Sequence, residues 1–426
     1  MRELEERFAE ELTIVGVHSG KFIAERETSR IADASRRLGV RHPVVNDRQF
    51  RIWRSYAVRA WPTIVMIDPG GYVLGMHAGE FTTAMIAPAL EQLIAKSGEA
   101  LNRGAAPHVE EPRDGRSLRY PGKIASAGRR LAIADSGNDR VVLAELNADD
   151  GVPRATVTRV FGDGRGYRDG TEPLFDHPQG VLFDGDDLLV ADAFNHTIRS
   201  IDLTTGVVSS LAGTGQLLRT RADAAAGALS SPWDLARADE HIAVAMAGNH
   251  RLYLLDREAR RVQLFAGSGA EELHDGPLAT AALAQPMGIC ADDTTIYFAD
   301  SETSAIREAA LTAGGDVTTI IGTGLFDFGD VDGEGAAVRL QHAQGVLRAP
   351  NDRLLIVDSY NDALKWLDRD TQRVTTWVRG LHEPGGAAWG DGVVYVADTN
   401  AHRIAVVRLD DASVRELALD WGRTPR

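Results

Sequence analysis

Between Ala134 and Ile404 one short phrase is written six times, and a chain built that way can fold in few ways. The copies begin Ala134-Asp135-Ser136-Gly137-Asn138, Ala191-Asp192-Ala193-Phe194-Asn195, Ala245-Met246-Ala247-Gly248-Asn249, Ala299-Asp300-Ser301-Glu302-Thr303, Val357-Asp358-Ser359-Tyr360-Asn361 and Ala397-Asp398-Thr399-Asn400. The anchor positions 135, 192, 246, 300, 358 and 398 lie 57, 54, 54, 58 and 40 residues apart. That spacing is near or above the period of four-stranded propeller blades, and six units predict six blades.

Each unit carries the same physical signals. An apolar run such as Asp187 to Ala191 predicts a buried strand, and Asp192 at its end can accept N–H bonds of the turn. Asn195 is expected to take the left-handed conformation of a tight hairpin returning through Thr197 to Ile201. A further strand, Val207 to Leu211, ends at Gly213-Thr214-Gly215, and the same ending recurs at Gly267-Ser268-Gly269 and Gly322-Thr323-Gly324. Glycines repeated this way punctuate blades, whereas a phosphate-cradling loop needs a strand-to-helix context and usually occurs once. The repeated Asp is likewise read as a turn cap, because a catalytic group is needed only once.

A second phrase opens each first strand: Tyr120-Pro121, His177-Pro178-Gln179-Gly180, Ser231-Pro232-Trp233-Asp234, Gln285-Pro286-Met287-Gly288, His342-Ala343-Gln344-Gly345 and Glu383-Pro384-Gly385-Gly386. Proline suits a strand's first residue, and glycine suits a crowded inner strand. With the Asp-x-x-Asn anchor this pattern resembles the NHL repeat, which implies an all-β six-bladed NHL propeller. Met246, Thr303 and Ala343 are departures from that pattern.

The first hundred residues alternate differently. Strands are expected at Thr13 to His18 and Pro62 to Asp68, helices at Ser29 to Leu38 and Arg48 to Tyr56, then a hairpin through Pro69-Gly70-Gly71 and a last helix near Met85 to Ala95. The segments Val15-Gly16-Val17-His18-Ser19-Gly20-Lys21-Phe22, His42-Pro43-Val44-Val45-Asn46-Asp47 and Arg59-Ala60-Trp61-Pro62-Thr63 resemble the α/β thioredoxin-like half of proteins that join this fold to an NHL propeller. The resemblance implies a cis proline at Pro62 and a peptide-contact turn at Trp61, Pro62 and Thr63. It divides the chain into an incomplete thioredoxin-like domain (1–101), a linker (102–117) and the propeller (118–426).

Family members carry paired cysteines between the first strand and first helix; this chain opens instead on Met1-Arg2-Glu3-Leu4-Glu5, inside the expected helix. Its sole cysteine, Cys290, sits on an apolar propeller strand and reads as a small buried hydrophobe. Dithiol exchange needs an accessible low-pKa thiolate and commonly a resolving thiol. The expectation is therefore a redox-silent chain, either shortened at its start or covering the open sheet edge with another element or subunit.

Residues 1 to 104 hold 14 Lys or Arg against 13 Asp or Glu, a net of +1, so the remainder carries −16 of a chain whose net charge is −15. An acidic propeller repels phosphate backbones, which argues against nucleic acid. No apolar stretch reaches membrane-spanning length, and the expected location is cytoplasmic. Tyr120, His177, Ser231, Gln285, His342 and Glu383 are expected to ring the funnel mouth and to bind a protein or small-molecule ligand, with no cofactor. His177, His342 and Glu383, with His382, raise a metal-dependent lyase or hydrolase as one alternative. A thiol-disulfide oxidoreductase in a longer native form is the other. The loop Asp327 to Glu334 invites calcium but misses EF-hand spacing, and similar Asp-Gly pairs recur at Asp169-Gly170 and Asp275-Gly276. No Gly-x-Ser-x-Gly elbow supports a serine hydrolase.

Overall fold

The computed structural model describes residues 1–98, 101, 103–104, 117–147 and 153–422, with the side chain of Arg221 left aside. The chain divides into two compact units, Met1–Arg113 and Asp114–Arg426. The expected linker, 102–117, lies almost wholly outside the described residues.

In the first unit, helix α1 (Arg2–Arg7) precedes β1 (Gly16–His18), α2 (Thr28–Arg37), β2 (Val44–Asn46), α3 (Arg51–Ser55), β3 (Thr63–Ile67), β4 (Val73–Ala78) and α4 (Thr83–Ser97). The strands form two separate pairs, β1 parallel to β2 and β3 antiparallel to β4. Leu4 of α1 and Phe8 just after it pack with Ala87 and Leu90 of α4, and Met66 of β3 joins them. The core is thin: Val15, Val17, Leu74 and Met76 remain exposed. The Trp61–Pro62 peptide is cis.

The second unit is a six-bladed β-propeller. Blades I to VI occupy 124–161, 178–212, 232–266, 286–321, 345–379 and 386–416, each a four-stranded antiparallel meander. Blade II shows the plan, with Pro178–Asp184 innermost, then Asp187–Asp192, Thr197–Asp202 and Val208–Ala212. Second strands are apolar because both faces are covered: Leu188, Leu189, Val190 and Ala191 are fully buried between blades. Innermost strands of successive blades adjoin around a ring, and that of blade VI, Gly386–Trp389, lies beside Ile124–Ala127 of blade I. A further strand, Ala418–Asp420, then crosses to pair parallel with Arg154–Phe161, so residues 418–420 fasten onto the outer edge of blade I.

Pro178, Pro232 and Pro286 do open inner strands. The hairpin turns differ in detail from expectation. Asn195 lies within a short 3-10 turn, and the left-handed position falls on the next residue, His196, with φ 52°. Asn195 turns its amide instead onto Asp192 Oδ2 at 2.8 Å. Gly213, at φ 94°, lies so close to the His196 carbonyl that a Cβ would come within 2.4 Å of that oxygen.

Candidate functional site

The anchor carboxylates act across the blade. Asp135, Asp192, Asp300, Asp358 and Asp398 are fully buried. The Oδ1 atom of each accepts the backbone N–H of a residue sixteen or, for Asp358, seventeen positions earlier, namely Arg119, Asp176, Ala284, Gln341 and His382, at 2.5 to 2.9 Å. In blade III, Met246 keeps the role through sulfur, its Sδ accepting Ser230 N–H at 3.4 Å. Burial pushes the carboxyls of Asp135, Asp192, Asp300 and Asp358 up, Asp192 to about 7 and Asp358 to about 6, against the pull of their donors.

Cations meet the Oδ2 atoms from the third strand. Arg199 joins Asp192 to Asp169, Arg307 joins Asp300 to Asp275, and Lys365 joins Asp358 to Asp330 and Asp332. The carboxylates of the loop weighed for calcium are thus met by the chain's own cations, Asp330 by Lys365 and Arg379 and Asp327 by Arg339. The recurring Asp-Gly pairs have the same use, since Asp169 and Asp275 also accept Ser210 and Thr319 N–H groups at 3.0 and 2.9 Å. These loops lie beside the hairpin turns, because Asn195 and Asn361 each donate to a loop carbonyl, Gly166 and Gly329, at 2.7 Å.

The six residues expected around the funnel share one unusual conformation. Tyr120, His177, Ser231, Gln285, His342 and Glu383 are all left-handed, with φ from 47° to 68°. Residues other than glycine adopt this only where surroundings enforce it. What enforces it is the preceding blade. His402, Asp139, His196, His250, Ser304 and Asp362, the left-handed residues of the six hairpin turns, accept their N–H groups in turn at 2.9 to 3.1 Å. Tyr120, His177, His342 and Glu383 are buried; Ser231 and Gln285 are half-buried. His177 stacks on Phe194 and His342 on Tyr360, each with centroids 4.4 Å apart.

The weighed metal set does not converge. Among the described residues His177 gathers with Asp139 and Asp176, not with His342, Glu383 or His382. Its Nδ1 lies 2.7 Å from Asp176 Oδ1, and Arg165 already reaches both carboxylates, at 3.2 and 3.5 Å. A guanidinium in that place supplies the positive charge a metal would bring.

The axis holds a pair that the sequence reading missed. Four blades place glycine at the same inner position, Gly180, Gly288, Gly345 and Gly386, and the other two place Lys123 and Asp234. At Gly288 a Cβ would come within 2.6 Å of the Gln344 carbonyl. Lys123 Nζ lies 3.5 Å from Asp234 Oδ2 and also donates to the Gln344 carbonyl. Burial draws the ammonium down and the carboxyl up, and their attraction opposes both shifts. The signal was present as two charged residues standing where the repeat writes glycine.

In the first unit Trp61 is 48% exposed and donates Nε1–H to the Ser19 carbonyl at 2.8 Å, packing against Trp53 and Phe50. Thr63 Oγ1 donates to the Ala60 carbonyl at 2.7 Å. Asp47 lies ahead of α3 and accepts the N–H groups of its first residues: although burial opposes it, the N–H groups of Trp53, Ile52 and Arg51 and the Ser19 hydroxyl hold its carboxyl below the usual range. Cys290 packs against the blade IV–V core, and burial pushes its thiol well above the usual value.

No family model matches the chain. Across 95% of its length it is 34% identical to NHL repeat-containing protein 2 of Bos taurus, covering 62% of that protein. Its homologues include NHL-repeat proteins. Across 97% of its length it is also 34% identical to Protein SUPPRESSOR OF QUENCHING 1, chloroplastic, of Arabidopsis thaliana, covering 43% of that protein. A 69-residue stretch, 16% of the chain, is 30% identical to Protein DipZ of Mycobacterium bovis, covering 10% of it. The chain spans less than two thirds of the length of the first two of these relatives. Among the described residues no helix is long and apolar enough to cross a membrane.

Proposed function

We propose that this chain is a non-catalytic binding protein that recognises a protein or small ligand through the loop face of the propeller. The observation that carries this reading is the fate of its reactive groups. The anchor carboxylates, their cations and the N–H groups of the funnel residues hold the ring together, and the single thiol is pushed up by burial. The loop face offers exposed aromatic and charged side chains, Tyr167 and Glu172 among them, the kind of surface that recognition uses. We read the first unit as thioredoxin-like, from the order of its elements and the Trp61-Pro62-Thr63 opening of β3, and place the protein in the cytoplasm.

A photo-reactive residue placed at Tyr167, on the loop face, is compared with one at Thr204, in the hairpin turn at the far end of blade II. Specific cross-linking from Tyr167 alone, with no reduction of insulin disulfides by the purified 426-residue chain and no stoichiometric metal by elemental analysis, supports the reading. Catalytic disulfide reduction overturns it.

A second reading has one observation in its favour. The β1–β2 and β3–β4 pairs each keep an unpaired strand edge, and Trp61 bonds Ser19 where their ends adjoin. A strand paired between them, in a longer native form bearing a cysteine pair, fits a thiol-disulfide oxidoreductase. Sequencing the coding DNA upstream for an in-frame strand and cysteine pair tests it.

A further inference from the structure

The six clasps that bind each blade to the next are chemically unequal. Three acceptors are carboxylate or hydroxyl: Asp139, Ser304 and Asp362. The other three are imidazoles, with Nδ1 of His196, His250 and His402 accepting the N–H groups of Ser231, Gln285 and Tyr120, each at 3.1 Å. A ring nitrogen accepts only while it carries no proton. A protonated Nδ1 would oppose one N–H to another at the junction.

We propose that the propeller carries an acid-sensitive clasp, in which protonation of His196, His250 and His402 releases the neighbouring blade at three of its six junctions and loosens the loop face. The three junctions are II–III, III–IV and VI–I. Histidine is the side chain that changes charge between pH 5 and 8 without special tuning.

The surroundings of each ring bear on the switch. His196 faces the Ser231 hydroxyl, with Arg219 and Asp176 nearby; His250 faces Asp300; the Tyr120 ring meets His402 edge-on at 4.4 Å. Burial, then Arg219, holds His196 below the ordinary imidazole value, while Asp176 opposes them. A depressed folded value means the unfolded chain takes up the proton first. The His196 clasp is therefore complete above about 6.5, the unfolded value, and is lost as pH falls through the lower folded value.

Amide exchange on the intact chain, corrected for intrinsic rates, tests the device. Between pH 7.5 and 5 the protection of Ser231, Gln285 and Tyr120 N–H should fall at least tenfold. The N–H groups of His177, His342 and Glu383 should hold theirs. A triple variant, His196→Asn, His250→Asn and His402→Asn, keeps a side-chain acceptor on a residue that tolerates the left-handed conformation. It should lose roughly 5 °C less in melting temperature over that range than the wild type. Equal responses at all six junctions, or identical pH slopes for the two proteins, would overturn the proposal. Should the variant fail to fold, the exchange comparison on the wild type decides alone.

Discussion

His402 Nδ1 accepts the Tyr120 N–H at 3.1 Å, joining residues 282 positions apart and shutting the gap between the last blade and the first. The same seam is sewn again at the rim, where Ala418 N–H donates to the Pro153 carbonyl at 3.0 Å and Ala418–Asp420 runs along Arg154–Phe161. Ending the chain after Leu417 should cost about 2–4 kcal/mol, from a few backbone bonds at roughly 1 kcal/mol each plus the cover over Leu419. Urea unfolding reads the loss, and faster amide exchange along Arg154–Phe161 locates it.

Across the axis, Lys123→Met leaves Asp234 buried without its counter-charge and should destabilise by about 3–5 kcal/mol. The pair Lys123→Met with Asp234→Leu should recover most of that loss. A double variant no more stable than the single one would mean that the two charges act separately.

Blade III invites the reverse experiment. Met246→Asp would give Ser230 N–H an oxygen, with Arg251 five residues on, the spacing of Asp135 to Arg140 and Asp398 to Arg403. Arg251 now bonds the Gly267 and Ser268 carbonyls. A carboxylate in a core ordinarily costs several kcal/mol, yet this one should fall within about 1 kcal/mol of wild type because its partners stand ready. Met246→Ala, which leaves a cavity and removes the sulfur that accepts the Ser230 N–H, should cost about 2–4 kcal/mol. Thermal denaturation of both variants checks the ordering.

Lys365→Met should be strongly pH-dependent. Burial pushes Asp358 up to about 6, so its ionisation at neutral pH opposes folding, and Lys365 offsets that. Despite burial, hydrogen bonds from Arg379 and Lys365 hold Asp330 below its ordinary 3.8, and its stabilisation is present above that value and lost as pH falls through the lowered one. The deficit of the variant should be about 3–5 kcal/mol at pH 7.5 and shrink on acidification through 6 and then through 3.8. Denaturant titrations at a series of pH values read it; a deficit independent of pH would contradict the assignment.

Much of the propeller was legible because repetition averages over local noise. Asp192, Pro178 and Gly213 each fall where the period and elementary backbone chemistry place them. What the period concealed was direction. Asp192 was expected to accept backbone N–H groups of its own turn, but from that turn it takes only the Asn195 side-chain amide, and its backbone partner is the N–H of Asp176, brought close by the return of the chain. The funnel positions were picked out by their place in the repeat; nothing local shows that Tyr120 or Glu383 is left-handed, because the enforcing acceptor belongs to another blade. Lys123 and Asp234 stood out as breaks in a glycine column, yet only the ring geometry brings them together.

The closing seam also sets a timetable. Leu131 and Ile133 of blade I share a core with Tyr395, Ile404 and Leu417 near the other end of the chain. During synthesis the intervening blades can stack as they emerge, but the first and sixth each present a bare apolar flank until Ala418–Asp420 leaves the ribosome. The nascent molecule is an unclosed arc with sticky ends, and its most vulnerable moment is the wait for residue 420.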